Sequence, residues 1–309
     1  MSDDRAKDAI LVTGAAGLIG NAVRTKLEAM GRSVVPIDRV DHVEDGKKIV
    51  ICDLVDIHRL HSVAERHRII GIIHCGAYSG PMVARDNPYS MVQVNILGTA
   101  NILELARIHG GARVIYCSST SVYGDSKSPP PVPEDVPLFP NSVYGASKAA
   151  GELLLSSYVS QFGLDGASLR LSWVYGPRRT TSCVVRTMIQ NALSGKPTHI
   201  PYGRGFHRQF IYVDDAAAAL VAALDQPKLP RRTYSVTGGT YLTMEEIAGT
   251  VKRVLPNADI ELGPGPDPDD GVQPRFDISA VERDIGFRPS FTFEEGVRNY
   301  VAWLQSQSI

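Results

Sequence analysis

Residues 10–20, ILVTGAAGLIG, decide the fold. Ile10, Leu11 and Val12 form a short apolar run that stops at Thr13 and Gly14, and a helical pattern starts near Leu18 and Ile19. That order reads as a buried strand, a glycine turn and the first turn of a helix. Gly14, Gly17 and Gly20 stand at G-x-x-G-x-x-G spacing, and each has its own task. The first permits a tight turn, the second lets backbone N–H groups approach a pyrophosphate, and the third lets helix and sheet pack closely. The helix start presents partial positive charge to that diphosphate. The next strand, 33–38 (SVVPID), ends on Asp38, 18 residues past Gly20. A carboxylate about 20 residues beyond the turn is placed to take the ribose hydroxyls of a dinucleotide. It repels a 2′-phosphate, so the pattern favours NAD over NADP; the neighbouring Arg39 leaves the strictness of that preference open.

Strand-like and helix-like segments alternate outward from this unit. Apolar runs at 48–53, 71–76, 113–118 and 167–172 are separated by helical periodicity at 21–30, 57–67, 92–109 and 143–162. Continuous Val/Ile runs between amphipathic helices indicate a parallel sheet covered on both faces. After about Gly176 the alternation weakens and proline and glycine become frequent. There, 210–213 and 234–236 read as short strands returning to the main sheet, and Thr243 with Glu246 and Thr292 with Glu295 fit capping boxes. The expected architecture is α/β, a Rossmann-type doubly wound parallel sheet with a smaller, discontinuous α/β lobe for the substrate. The dinucleotide domain is placed at 1–175, with 206–237 returning to it, and the substrate lobe at 176–205 and 238–309.

Composition excludes several classes. With 309 residues, 43% hydrophobic and 21% charged, the chain can bury a large core, and a net charge of −1 gives no bulk attraction to nucleic acid or membrane. The polar residues 1–8 are unlike a secretory signal, and the longest apolar stretch, 216–224, is too short to span a bilayer. A cytoplasmic location is expected. Cys52, Cys75 and Cys117 follow β-branched runs and read as small buried residues of a reducing compartment. No metal is expected, since the eight histidines lack ligand spacing and His58 and His61 fit a solvated helix face.

The segment 144–148, YGASK, opens a predicted helix capped by Asn141 or Ser142. Its i, i+4 spacing puts the Tyr144 phenol and the Lys148 ammonium on one face. Tyrosine is a poor base at neutral pH, and an adjacent cation stabilises its phenolate. Tyr144 can then exchange a proton with a carbinol. The plainer alternative is a surface lysine beside a half-buried tyrosine. Hydroxyls of 118–124, SSTSVYG, follow the fifth strand and point into the same crevice, unless they merely cap a polar turn.

With these motifs in place, the chain resembles the extended short-chain dehydrogenase/reductases, the NAD-dependent sugar epimerase/dehydratase family, over nearly its full length. The matching segments are TGAAGLIG at 13–20, Asp53 and Leu54, HCGA at 74–77, NILGT at 95–99, SSTSVYG at 118–124, YGASK at 144–148, LRLSWVYGP at 169–177 and RQFIYVDD at 208–215. The resemblance implies a catalytic set of Ser119, Tyr144 and Lys148, with Lys148 also holding the nicotinamide ribose. It implies that Gly14, Gly17, Leu18, Ile19, Gly20 and Asp38 hold NAD, that Asp53 and Leu54 line the adenine, and that Gly76 and Ala77 flank the cofactor. Asn95 is expected behind the site, linked through water to Lys148 or serving as a helix-packing amide. Ser119, Thr120, Trp173 and Arg208 are the expected substrate contacts.

Departures from the family pattern narrow the reaction. Dehydratases carry an Asp-Glu pair just after the catalytic hydroxyl, where this chain has Thr120 and Ser121. Nucleotide-sugar epimerases usually have asparagine in place of Trp173 and a basic residue before the acidic turn at 266–270, and no arginine precedes that turn here. Arg208 matches the remaining diphosphate-binding arginine, or else pairs with Asp214 or Asp215. Arg178 and Arg179 either reach an anionic substrate or are solvated, and the proline-rich 128–140 is expected as a loop over the site rather than a partner-binding motif.

The implied function is NAD-dependent hydride transfer at a secondary carbinol of a sugar-type substrate, with epimerisation of a sugar or nucleotide sugar as the net reaction. The alternatives are a net dehydrogenase of a free sugar, sugar acid or polyol, and a non-catalytic NAD sensor. Helices 92–109 and 143–162 carry apolar residues on more than one face, and in relatives such helices pair as a four-helix bundle, so a homodimer is expected.

Overall fold

The computed structural model describes residues 8–44, 47–124, 127–267 and 273–307. Most of the N-terminal leader, 1–7, and 268–270 of the acidic turn lie outside them. Seven parallel strands form the central sheet: β1 (Asp8–Thr13), β2 (Val34–Asp38), β3 (Val50–Ile51), β4 (Arg68–His74), β5 (Arg113–Ser119), β6 (Gly166–Leu171) and β11 (Thr233–Val236). Their spatial order is β11-β6-β5-β4-β1-β2-β3, so the direction in which successive strands are added reverses between β1 and β4. Every residue of β6 is buried, and the sheet centre is filled by Ile10, Val12, Ile73 and Ile115. Strands covered on both faces need such runs.

The crossovers are α1 (Leu18–Ala29), α2 (Ile57–Ala64), α3 (Pro88–Val92) continuing through a π-helical turn at Gln93–Leu97 into α4 (Gly98–Ile108), and α5 (Val143–Phe162). Their ends follow local chemistry. Asp56 caps α2 by accepting from the Arg59 N–H, Asn87 caps α3, and Ser142 caps α5, which stops at Gly163 in a left-handed conformation. Each such cap is worth about 1 kcal/mol. The expected helix at 92–109 therefore begins earlier, at Pro88, where asparagine followed by proline is a strong start signal.

Two expectations about strands change. The run 48–53 is reduced to Val50–Ile51, because the chain turns at Asp53, whose carboxylate accepts from the Val55 N–H. Of the two short strands expected to rejoin the sheet, Thr233–Val236 does so against β6. The other, β10 (Phe210–Tyr212), pairs instead with β7 (Trp173–Tyr175) outside the main sheet. Trp173 immediately follows β6, and the intervening Ser172 donates its N–H to Val236, so the chain leaves the ladder there.

The remaining elements are α6 (Val184–Leu193), β8 (Thr198–Arg204), β9 (His207–Arg208), α7 (Val213–Asp225), β12 (Leu242–Thr243), α8 (Met244–Val254), β13 (Ile260–Pro264), α9 (Ser279–Ile285) and α10 (Phe293–Ser306). Helices α8 and α10 both start with complete capping boxes, Thr243 with Glu246 and Thr292 with Glu295. One apolar cluster runs from Ile10 and Ile115 of the sheet to Ile211, Ile247 and Val297. The lobe is thereby welded to the sheet above the carboxyl ends of its strands.

Candidate active site

A cavity of about 550 Å³ opens at those carboxyl ends, beside the point where strand order reverses. Ligands of open α/β sheets bind at that place. One end is made by the glycine turn. Gly14 has φ +64°, and a Cβ built on it would lie 2.7 Å from the Gly76 Cα; on Gly20 it would lie 2.0 Å from the Gly14 carbonyl oxygen. Only glycine fits both places, and the result is a shallow backbone cradle suited to a pyrophosphate. Asp38 braces it by accepting from the Ala16 N–H at 3.0 Å. Leu18, Ile19, Asp53, Leu54, Gly76 and Ala77 complete this end. Arg39 also lies on the wall, bonded to the Tyr78 hydroxyl at 3.0 Å.

The other end holds the proposed chemistry. Tyr144, Lys148 and Glu152 form an i, i+4, i+8 stripe on the buried face of α5, each below 10% exposed. Glu152 fixes the helix: it accepts from Ser118 Oγ at 2.6 Å and from Arg170 Nη2 at 2.7 Å. Arg170 also donates to the Glu134 carbonyl and stacks on Tyr123. Lys148 Nζ donates to the Cys117 carbonyl at 2.7 Å and sits 4.9 Å from the Tyr116 ring centroid. Burial works against its ammonium, yet the surrounding Tyr116 and Tyr144 phenols and Cys117 and Cys75 thiols hold its pKa above the ordinary lysine value. The ammonium stays charged beside Tyr144. Ser119 faces the same cavity and also caps the short turn Thr120–Val122, accepting from the Ser121 N–H and donating to Ser121 Oγ, both at 3.1 Å. The serine thus lines the cavity and caps its own turn at once.

Behind these groups runs a hydrogen-bonded chain that the motifs alone did not reveal. The Gly76 N–H donates to Thr13 Oγ1, which bonds His74 Nδ1 at 2.7 Å, while His74 Nε2 bonds Thr99 Oγ1 at 3.1 Å. Thr99 in turn donates to the Asn95 carbonyl. The order fits a neutral imidazole with its proton on Nε2. Burial, with the Lys148 charge adding to it, pulls the His74 pKa down to about 3. The chain ties the glycine turn to the π-helical turn of the α3–α4 helix, where such turns often mark functional sites. A signal was available in HCGA and NILGT, whose polar residues are buried between apolar neighbours.

The structure places two expected residues off the cavity wall. Asn95 is buried, and its amide is occupied: Oδ1 accepts from the Tyr78 N–H, and Nδ2 donates to the Tyr78 carbonyl and to Ser147 Oγ. Ser147 donates to the Tyr144 carbonyl, so Asn95 positions α5 and the loop after β4, and forms no part of the cavity wall. Arg208 is also buried. It pairs with neither Asp214 nor Asp215 but with Asp267, and its guanidinium lies 4.4 Å from the Trp173 ring centroid. Asp215 instead accepts from the Ser290 and Phe291 N–H groups.

Trp173 and Thr120 do line the cavity, as do Cys52, Cys75 and Cys117; all four cysteines are free. Arg179 is on the wall as well, 5.4 Å from the Trp173 ring, and donates to the Val174 and Ser182 carbonyls. No group of three or more His, Cys, Asp or Glu side chains among the described residues is arranged for a metal ion. No helix among them is long and apolar enough to cross a membrane.

Comparison with known proteins agrees with this geometry. Residues 10–237 match the model of the NAD dependent epimerase/dehydratase family. A UDP-glucose 4-epimerase of Mycolicibacterium smegmatis is 30% identical over 315 residues, covering 96% of this chain and 99% of that protein. UDP-glucuronate 4-epimerase 1 of Arabidopsis thaliana is 27% identical, covering 96% of this chain and 76% of its own. Among solved structures, the Thermus thermophilus UDP-glucose 4-epimerase complex with NAD superposes with a TM-score of 0.85 at 30% identity, over 96% of this chain and 99% of that one.

Proposed function

The chain belongs to the NAD-dependent epimerase/dehydratase family, and from that premise we propose that it oxidises and re-reduces a secondary carbinol of a sugar-type substrate, with epimerisation of a sugar or nucleotide sugar as the net reaction. One observation carries the reading: Ser119, Tyr144 and Lys148 share a single cavity with the glycine cradle. NAD, when bound, supplies the hydride acceptor and donor. The cradle and the start of α1 hold its pyrophosphate, Asp38 takes the ribose hydroxyls, Asp53 and Leu54 line the adenine, and Gly76 and Ala77 flank it. Tyr144 Oη takes the carbinol proton and gives it back, the Lys148 ammonium stabilises the phenolate and reaches the ribose, and the Ser119 hydroxyl orients the reacting oxygen. Thr120 and Ser121 provide no carboxylate, so the site lacks the acid and base for eliminating water.

A net dehydrogenase of a free sugar, sugar acid or polyol is the second reading, favoured by the burial of Arg208. A sensor has no use for the complete Ser119, Tyr144 and Lys148 set. Residues 176–205 and 238–309 form the substrate lobe of this reading. Tyr89, Leu97, Val143 and Leu153, all exposed on α3 to α5, fit an interface with a second copy in a homodimer, and the free thiols suit a cytoplasmic location. The test is a panel of free sugars, sugar acids and nucleotide sugars, followed by product NMR and nicotinamide absorbance. An epimer without net NADH supports the epimerase and stoichiometric NADH the dehydrogenase; neither product from any class overturns the proposal.

A further inference from the structure

Resting on the carbinol chemistry above, we infer that the reacting sugar carries no nucleotide: Trp173 seals the Arg208 guanidinium from the cavity, and the remaining chamber takes a monosaccharide, preferentially one bearing a carboxylate. A nucleotide sugar brings a diphosphate, whose binding needs cationic donors presented to it. Arg208 is 5% exposed and forms no part of the cavity wall. It is paired with Asp267, and its guanidinium is stacked at 4.4 Å on Trp173 and 5.0 Å on Phe206. The indole occupies the wall in front of it. To reach a diphosphate, Arg208 would have to leave Asp267, whose side chain is 9% exposed, and strand a buried carboxylate.

The chamber on the Trp173 side has the opposite character from the adenine side. Its charged wall groups are Lys148 and Arg179, both cations, whereas the far end carries the two carboxylates Asp38 and Asp53 beside a single cation, Arg39. No carboxylate among the described residues pairs with Arg179. Ser172 lies on the wall, 6% exposed, with a hydroxyl that has no hydrogen-bond partner among the described residues. Ser119, Thr180 and Thr181 add further hydroxyls. This lining fits the hydroxyls and carboxylate of a hydroxy-acid sugar, in a cavity that must house the dinucleotide too.

The experiment has two arms on the NAD-loaded protein. Calorimetric titration with UDP is expected to show no saturable heat up to roughly 1 mM. Steady-state assays of glucuronate, glucose, UDP-glucuronate and UDP-glucose are expected to rank the free acid first, with kcat/KM at least about a hundredfold above either nucleotide sugar. Trp173→Asn is expected to gain heat with UDP while its NAD titration is unchanged; should that variant not fold, the wild-type arms decide alone. Micromolar UDP binding by the wild type, or turnover confined to nucleotide sugars, overturns the inference and leaves the carbinol reading standing. Turnover of glucose in preference to glucuronate removes the carboxylate part. No turnover of any class, with NAD bound, sinks the carbinol reading itself and the inference with it.

Discussion

At the end of the cavity formed by Gly14, Gly17 and Gly20 the working groups are backbone N–H and a carboxylate bracing its own loop, whereas Arg208 behind Trp173 and Thr120 on the wall are held by partners far away in the chain. Asp38 reaches Ala16 across two neighbouring strands. By contrast, the Arg208–Asp267 pair spans 59 residues of chain, and the bond from Thr120 to Gln273 spans 153. The first arrangement depends on spacing within one βαβ unit and serves the dinucleotide whatever the substrate. The second is assembled from the irregular lobe and can change without disturbing the sheet. The proposed substrate end is thus the one where the sequence pattern is weakest.

That contrast can be broken most severely at the glycine turn. Gly20→Ala forces a Cβ to within 2.0 Å of a backbone oxygen that cannot swing away. The strain of ~1–3 kcal/mol falls on the cradle, and calorimetry should show NAD affinity lowered about tenfold to a hundredfold. His74 gives the next effect. Its folded pKa is near 3, below the ordinary histidine value, so between those two values the unfolded chain binds the extra proton. Its stabilising contribution is complete above pH 6.5 and is lost as pH falls. From pH 6.5 to 5 this amounts to roughly 2 kcal/mol, which denaturant unfolding should show in the wild type and lack in His74→Gln. The difference between the two proteins cancels the other titrating groups.

Asp38→Asn sharpens the comparison at the ribose. Removing the charge should improve NADP binding relative to NAD by about tenfold, or ~1.4 kcal/mol, with Arg39 already on that wall. Ser147→Ala is the mildest change. It removes the link from Asn95 to the catalytic helix at about 1 kcal/mol of stability, and kcat should fall while the heat of NAD binding holds.

The dinucleotide end was legible because each of its parts is local. Glycine spacing, an acid at a strand end and the tyrosine–lysine step on one helix face all follow from the periods of strand and helix. The two capping boxes were legible for the same reason, as was a cap for α5 at Asn141 or Ser142, of which the structure uses Ser142. What escaped reading required knowledge of which strands meet. The Glu152–Arg170 pair that fixes α5 joins a helix to a strand, and the His74 chain joins two strand ends to a helix. Asn95 was placed behind the site, but its bonds to Tyr78 and Ser147 depend on the π-helical turn, for which no pattern in the sequence gives warning. Phe210–Tyr212 had a strand composition, and only its partner was misjudged.

In the proposed reaction the Tyr144 phenol exchanges the carbinol proton beside bound NAD. Rapid mixing of the NAD-loaded wild type with a substrate from the panel should produce the absorbance of reduced nicotinamide within the first turnover. In Tyr144→Phe, with the heat of NAD binding unchanged, that signal should slow by about a hundredfold to ten-thousandfold. Reduction at the wild-type rate in the phenylalanine variant would contradict the account.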